Sequence, residues 1–85
     1  MEIIILPDAL THLQYWKKTG NQIILKRIAL LLKAIEIDPF NGIGKPEKLK
    51  HNLTGTWSRR IDKEHRLIYE IKDNAILIHS LLGHY

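Results

Sequence analysis

Apolar residues recur along this sequence with two different periods, and the change of period divides the chain into a helical part and a strand part. Residues 1–6 form a short apolar, β-branched run that ends at Pro7, which is typical of a buried strand. From residue 8 to residue 19 apolar positions recur every third residue. We therefore predict a first helix that is capped by Asp8 and closed by Gly20.

A second amphipathic helix follows directly. Asn21 is suited to cap it, and the apolar stripe then repeats at the spacing of one helical face. The stripe consists of Ile24, Ile28, Leu31 and Ile35 and is widened by Leu25, Ala29 and Leu32. Asp38 and Pro39 end this helix, and glycine and proline mark a loop over residues 41–46. Two consecutive helices of this kind form an αα-hairpin whose apolar face must pack on another layer.

From Trp57 onward the period is two, which is typical of strands. Three runs alternate in this way and two turns separate them: residues 57–61, 66–71 and 75–82, with turns at 62–65 and 73–74. The short turns predict an antiparallel meander. The expected fold is α+β with the order βααβββ, in which an antiparallel sheet packs against the N-terminal αα-hairpin. We expect residues 1–85 to form one domain, because so short a chain supports only one hydrophobic core.

Composition excludes several classes of protein. The chain is 45% hydrophobic and 26% charged, which is a globular composition, and it has no cysteine for a disulfide, a thiolate metal site or a nucleophile. Its longest apolar runs are far shorter than the ~20 residues of a membrane span. A secretory signal is not recognisable, so we expect a cytoplasmic protein without membrane contacts.

The net charge of +4 is confined to one stretch of the chain. Residues 41–66 contain seven basic and three acidic residues, whereas the remainder is balanced at six of each. A phosphate-binding surface requires such a concentration of positive charge. A solvated loop and a lysine-decorated edge strand would look the same, and charge alone favours neither interpretation.

No known metal or nucleotide motif appears in the sequence. The five histidines are scattered, no HExxH pair is present, and no glycine-rich phosphate loop precedes a helix. We therefore predict a site without a metal or a cofactor. The groups suited to acid, base and phosphate chemistry are Glu47, Lys50, Arg59, Arg60, Arg66, His84 and Tyr85.

Four segments together resemble the YoeB (Txe) branch of RelE-type toxins. They are GKPEKLKHNLTG at 44–55, WSRRI at 57–61, EHRLIY at 64–69 and the final His84-Tyr85. The resemblance implies the same α+β architecture, a ribosome-dependent endonuclease that docks in the ribosomal A site on 16S rRNA and cleaves mRNA there, and an antitoxin partner of the YefM/Axe kind. It leaves open whether the chain also forms a homodimer.

The resemblance also implies a role for each candidate residue. Glu47 matches the general base, Arg66 the phosphate-stabilising arginine and His84 the general acid. Positions that bind phosphate or assist it are matched by Lys50 and Arg60, and the terminal tyrosine that positions substrate by Tyr85. Arg59 is a further candidate for phosphate binding on its residue type.

Chemical reasoning from the residue types agrees with these roles. RNA carries its own nucleophile, the 2′-hydroxyl, so cleavage needs a base, an acid and a cation for the charge on the phosphorus centre. The alternatives without a catalytic role are a surface ion pair for Glu47 and a frayed chain terminus for His84 and Tyr85. In the strand that Arg66 begins, Leu67, Tyr69 and Ile71 alternate on one face, so Arg66 is expected on the other face, with Ile68 and Glu70.

Two other functions remain open from the sequence. A ParE-like gyrase poison would share the fold, although the set Glu47, Arg66, His84 and Tyr85 argues against it. A non-catalytic nucleic-acid-binding module would explain the basic stretch without an acid or a base. The basic charge and the resemblance together predict an antitoxin with an acidic segment that folds upon an exposed basic groove.

Overall fold

A computed structural model describes residues 1–50 and 55–83 of the chain. The described elements are β1 (Glu2–Ile5), α1 (Pro7–Thr19), α2 (Gln22–Ile37), β2 (Glu47–Lys48), β3 (Thr56–Arg60), β4 (Arg66–Lys72) and β5 (Ala75–Ser80). The two helices are consecutive, as the hydrophobic pattern predicted. Neither of these helices has the length and apolar character that a bilayer crossing requires.

The five described strands form one sheet in the order β1-β5-β4-β3-β2. The predicted meander is confirmed, because β3 pairs antiparallel with β4 and β4 with β5. The sheet is nevertheless mixed, since β1 lies parallel to β5, with Glu2 opposite Ala75. The strand β2 was not predicted, and it extends the sheet by pairing Glu47 with Ser58. An α+β fold with a hairpin of helices on a sheet is therefore correct, and a purely antiparallel sheet is not.

Local residue chemistry accounts for both ends of α1 and for the start of α2. The predicted Asp8 cap is wrong, because Leu6 is the N-cap and Pro7 occupies the first turn, where its missing N–H costs nothing. Gly20 closes α1 in the left-handed conformation at φ 69°. Asn21 caps α2, since its side-chain oxygen accepts the Ile24 N–H at 3.1 Å. The two helices thus stop and restart within two residues.

Both helices pack on one face of the sheet. The buried core joins Ala9 and Trp16 of α1, the α2 stripe Ile24, Ile28, Leu31 and Ile35, and the sheet residues Leu67, Tyr69, Ile76 and Ile78. Trp16 also donates its indole N–H to the Leu81 carbonyl at 2.9 Å, which ties α1 to the segment after β5. Leu25 and Leu32 pack at the edge of this core, whereas Ala29 is exposed, contrary to expectation.

Alternation along the strands gives the sheet two distinct faces. Leu67, Tyr69, Ile76 and Ile78 point to the helices, and we call their side the helix-covered face. Paired residues of neighbouring strands share a face, so the rows Glu47–Ser58–Ile68 and Arg60–Arg66 lie together on the opposite side, which we call the outer face. The prediction that Arg66 points away from Leu67 is thus confirmed.

Candidate active site on the outer face

Glu47 lies in β2, at the end of the loop that follows α2. Its backbone is paired with Ser58, and the pairing continues where the Leu49 N–H donates to the Thr56 carbonyl at 2.9 Å. The Glu47 side chain is exposed, while Leu49, two residues on, is only 5% exposed. The carboxylate is therefore carried on a backbone that the sheet fixes, yet it is accessible to a ligand.

Arg66 opens β4 directly opposite Arg60 in β3. Its guanidinium Nη1 donates to the carbonyls of Asp62 at 3.1 Å and His65 at 3.3 Å. These acceptors hold the group without neutralising it, and within residues 1–50 and 55–83 no carboxylate lies within 4.0 Å of it. A half-buried, oriented guanidinium of this kind is suited to bind a phosphate.

The space between these two groups has a buried floor. Ser58 and Ile68, which stand in line with Glu47 across the sheet, are 2% and 9% exposed. Two strand spacings and two residues along the strand separate Glu47 from Arg66, which corresponds to roughly 12 Å between their Cα atoms. Two long side chains at that distance can reach opposite sides of one phosphodiester group.

The chain returns to Arg66 just before its last two residues. The Arg66 N–H donates to the Gly83 carbonyl at 2.8 Å, and the Gly83 N–H donates to Nδ1 of His65, also at 2.8 Å. His84 and Tyr85 themselves lie outside the described residues. The structure therefore fixes the residue that precedes His84 beside the phosphate-binding candidate.

The contacts of His65 make it a support of the site. Its Nδ1 accepts the Gly83 N–H, so this nitrogen carries no proton in the bond. Its ring packs edge-on against Trp16, with 4.8 Å between the centroids. Nothing in the hydrophobic pattern distinguishes His65 from a solvated turn residue, because both partners are distant in sequence.

The remaining basic candidates divide into exposed and buried groups. Arg60 and Lys50 are exposed, and Arg60 faces the same side of the sheet as Arg66. Arg59 has no exposed surface. Its guanidinium is occupied by four hydrogen bonds inside the protein, so the expectation that Arg59 contacts phosphate is corrected.

Within the described part of the chain, no three His, Asp or Glu side chains gather closely enough to share a metal ion. The outer face instead brings together the exposed carboxylate of Glu47, the arginines Arg60 and Arg66, and Gly83, the residue that precedes His84. Acid, base and cation are the components of proton-transfer chemistry on a phosphodiester.

A small α+β domain with two N-terminal helices, a mixed sheet and this basic face has the architecture of the RelE-type toxins. Residues 6–85 match the family model described as YoeB-like toxin of bacterial type II toxin-antitoxin systems. The chain therefore belongs to the YoeB-like toxin family.

Individual relatives agree with the family match. The chain is 57% identical to Toxin YoeB of Synechocystis sp. over 74 residues, which cover 87% of this chain and 86% of the relative. The heterotetrameric YoeB-YefM toxin-antitoxin complex from Staphylococcus aureus contains a chain that superimposes with a TM-score of 0.89 and 45% identity, covering 100% of this chain and 98% of that one. A YoeB dimer from the same organism superimposes with a TM-score of 0.90, at the same identity and coverage.

Proposed function

We propose that this toxin is a metal-independent endoribonuclease that cleaves mRNA in the ribosomal A site and so inhibits translation. The observation that carries the proposal is the outer face: Glu47 and Arg66 share it, and Gly83, next to His84, is bonded to Arg66. Membership of the YoeB-like toxin family supports the same activity.

The proposed reaction uses the RNA's own hydroxyl group. Glu47 removes the proton from the 2′-hydroxyl, and the 2′-oxygen attacks the adjacent phosphorus. Arg66 stabilises the additional negative charge on the phosphoryl oxygens. The bond from phosphorus to the 5′-oxygen breaks, and His84 gives its proton to that leaving oxygen. The products are a 2′,3′-cyclic phosphate and a free 5′-hydroxyl, with atoms and protons balanced.

The other basic groups of the outer face would hold the substrate. Arg60 and Lys50 are exposed and provide charge for neighbouring phosphates, and Tyr85 would position the nucleotide at the cleaved bond. Arg59 has no part in this contact, because it is buried.

We further propose that a YefM-like antitoxin inhibits the protein by covering the outer face. The Staphylococcus aureus relative forms a complex with YefM, and an acidic segment is the complement of a basic face. A homodimer is a second proposed assembly, since the same relative also forms a dimer.

The test is translation of a defined mRNA in a purified bacterial system, with the RNA ends mapped by primer extension. Wild type is compared with Glu47→Gln, Arg66→Ala and His84→Ala. Glu36→Gln is the matched control, because it changes an exposed carboxylate on α2, which packs on the helix-covered face. We expect ribosome-dependent cuts in the A-site codon, lost or strongly reduced in the three variants and retained in the control.

Uncut RNA in the presence of folded wild-type protein would contradict the proposal. Inhibition of DNA gyrase by the same preparation would then support the ParE-like alternative, and simple RNA binding would support a non-catalytic module.

A further inference from the structure

Arg59 is the most deeply buried charged residue among those described, with no exposed surface. It lies on the helix-covered face, and its guanidinium reaches the loop between α2 and β2. Nη2 donates to the carbonyls of Asp38 at 2.6 Å and Asn41 at 3.1 Å, and Nη1 donates to the carbonyl of Ile43 at 3.2 Å. One planar side chain thus holds three peptide groups of the same loop.

Tyr69 completes this arrangement from β4. Its hydroxyl accepts the Nε–H of Arg59 at 3.1 Å and donates to the Pro39 carbonyl at 2.6 Å. Burial raises the pKa of the Tyr69 hydroxyl above its ordinary value of 10.0, despite the opposing effect of the Arg59 charge, so the hydroxyl keeps the proton that it donates. We call Arg59 and Tyr69 the loop clamp.

The loop has no spare room around the clamp. A Cβ atom on Gly42 would lie 3.0 Å from Nη1 of Arg59, and one on Gly44 would lie 2.8 Å from Cδ2 of Leu31. Both glycines have positive φ, at 132° and 84°. Close packing and hydrogen bonds therefore fix one path for residues 38–44.

This path ends at Glu47. The Gly44 carbonyl accepts the Arg60 N–H at 2.6 Å, and three residues later Glu47 is paired with Ser58. Three consecutive residues of β3 thus contact the segment that carries the carboxylate: Ser58 and Arg60 through their backbones, and Arg59 through its guanidinium. The loop that the clamp holds therefore leads into Glu47 within three residues of the Gly44–Arg60 hydrogen bond.

We infer that the loop clamp is a positioning device for the base, in which Arg59 and Tyr69 act on the reaction through the location of Glu47. The inference rests on the proposed nuclease function. Proton transfer needs a base within hydrogen-bond reach, and a displacement of about 1 Å can lower a rate by roughly 10²-fold. Neither residue of the clamp touches substrate, because both side chains are completely buried.

The test is a double-mutant cycle on the single-turnover rate of mRNA cleavage at saturating toxin. Tyr69→Phe keeps the ring in the core and removes only the hydroxyl that holds Pro39 and Arg59. We expect a rate about 10-fold lower than wild type, but a change of less than about twofold when the same substitution is made in Glu47→Gln. Tyr15→Phe is the matched control, since this hydroxyl is on the half-exposed ring of α1.

Equal loss in both backgrounds would overturn the inference, because a merely structural role lowers the amount of active protein whatever stands at position 47. Arg59→Lys gives a second measurement, since it keeps the charge and loses the planar fork. Its rate is expected to fall at least as far as that of Tyr69→Phe, again without further loss in Glu47→Gln.

Hydrogen exchange of the Arg60 amide separates failure of the clamp from failure of the nuclease proposal. This amide donates to Gly44, so a loosened loop exposes it in protein that has seen no RNA. We expect exchange at least 10-fold faster in Tyr69→Phe than in Tyr15→Phe. If wild type fails to cleave RNA, accelerated exchange still supports the clamp, and unchanged exchange overturns it.

Discussion

Arg59 and Arg60 are adjacent arginines in β3, but they differ in the face of the sheet to which they point, in exposure and in contacts. Arg59 points to the helix-covered face, has no exposed surface and donates to Tyr69 and to three loop carbonyls. Arg60 points to the outer face and is exposed. Neighbouring residues of β4 are divided between the two faces in the same way: Arg66 lies on the outer face and Leu67 on the helix-covered face. In this protein the face of the sheet decides whether a charged residue supports the fold or is available to a ligand.

The largest effect is expected where the helix-covered face is broken. Leu67 has no exposed surface, so Leu67→Ala leaves a cavity in the core and should lower the free energy of unfolding by about 2–5 kcal/mol. Leu77→Ala, a change of the same size on the half-buried outer face of β5, should cost less than half as much. Urea denaturation of both variants measures the difference, and similar values would show that the two faces contribute equally to stability.

Arg66→Ala reverses this pattern, because it affects function and spares the fold. Removing one preorganised charge from a reaction centre lowers the rate by about 10²–10³-fold. Among the described residues the Arg66 side chain donates to two carbonyls beside an exposed turn, so the free energy of unfolding should fall by about 1 kcal/mol. Cleavage assays and urea denaturation on one preparation test both statements. A loss of activity that only follows a loss of folded protein would contradict them.

A smaller effect is expected at Arg60, in the salt dependence of RNA binding. If its side chain contacts one phosphate, Arg60→Ala should reduce the slope of log Kd against log salt by roughly 0.7. Fluorescence anisotropy with a labelled RNA oligonucleotide, in the Glu47→Gln background to slow cleavage, measures this slope. Lys18→Ala removes an exposed charge from α1 and should leave the slope unchanged. Equal slopes in all three proteins would show that Arg60 does not contact the RNA.

The smallest effect concerns alkaline pH. Because burial raises the pKa of Tyr69 in the folded protein above 10.0, the unfolded chain loses this proton first as the pH rises. The contribution of Tyr69 is therefore fully present below pH 10 and decreases above it. Chemical denaturation between pH 8 and pH 11 should show a decline that is weaker in Tyr69→Phe. An identical decline in both proteins would show that other groups cause it.

Much of the fold could be predicted because it depends on local signals. The Asp73-Asn74 turn shows this, since both residues adopt positive φ, at 51° and 59°, as a tight hairpin requires and as these residue types allow. The N-cap of Asn21 is equally local. The parallel partner of β1 was missed because alternation shows which residues face the core but not which strand lies beside them. The strand β2 has two residues, too few to display a period.

The site shows the same limit. Glu47 and Arg66 were found through residue types and resemblance, and alternation in β4 correctly put Arg66 on the outer face. The burial of Arg59 was not predictable from alternation, because its acceptors at Asp38, Asn41 and Ile43 lie 16 to 21 residues earlier in the chain. The roles of His84 and Tyr85 stay predictions, since both lie outside the described residues.

The parallel pairing of β1 with β5 has a consequence for synthesis. Glu2 pairs with Ala75, so among the described strands β1 is synthesised first and β5 last. The backbone of β1 can form its sheet hydrogen bonds only after β5 has been synthesised. Contacts between such distant residues form slowly, and a growing chain exposes the apolar faces of both helices until the sheet is complete. A toxin built in this order gains its complete sheet only once β5 has been synthesised, so a nascent chain that stops short of β5 lacks the strand on which β4 and its Arg66 are supported.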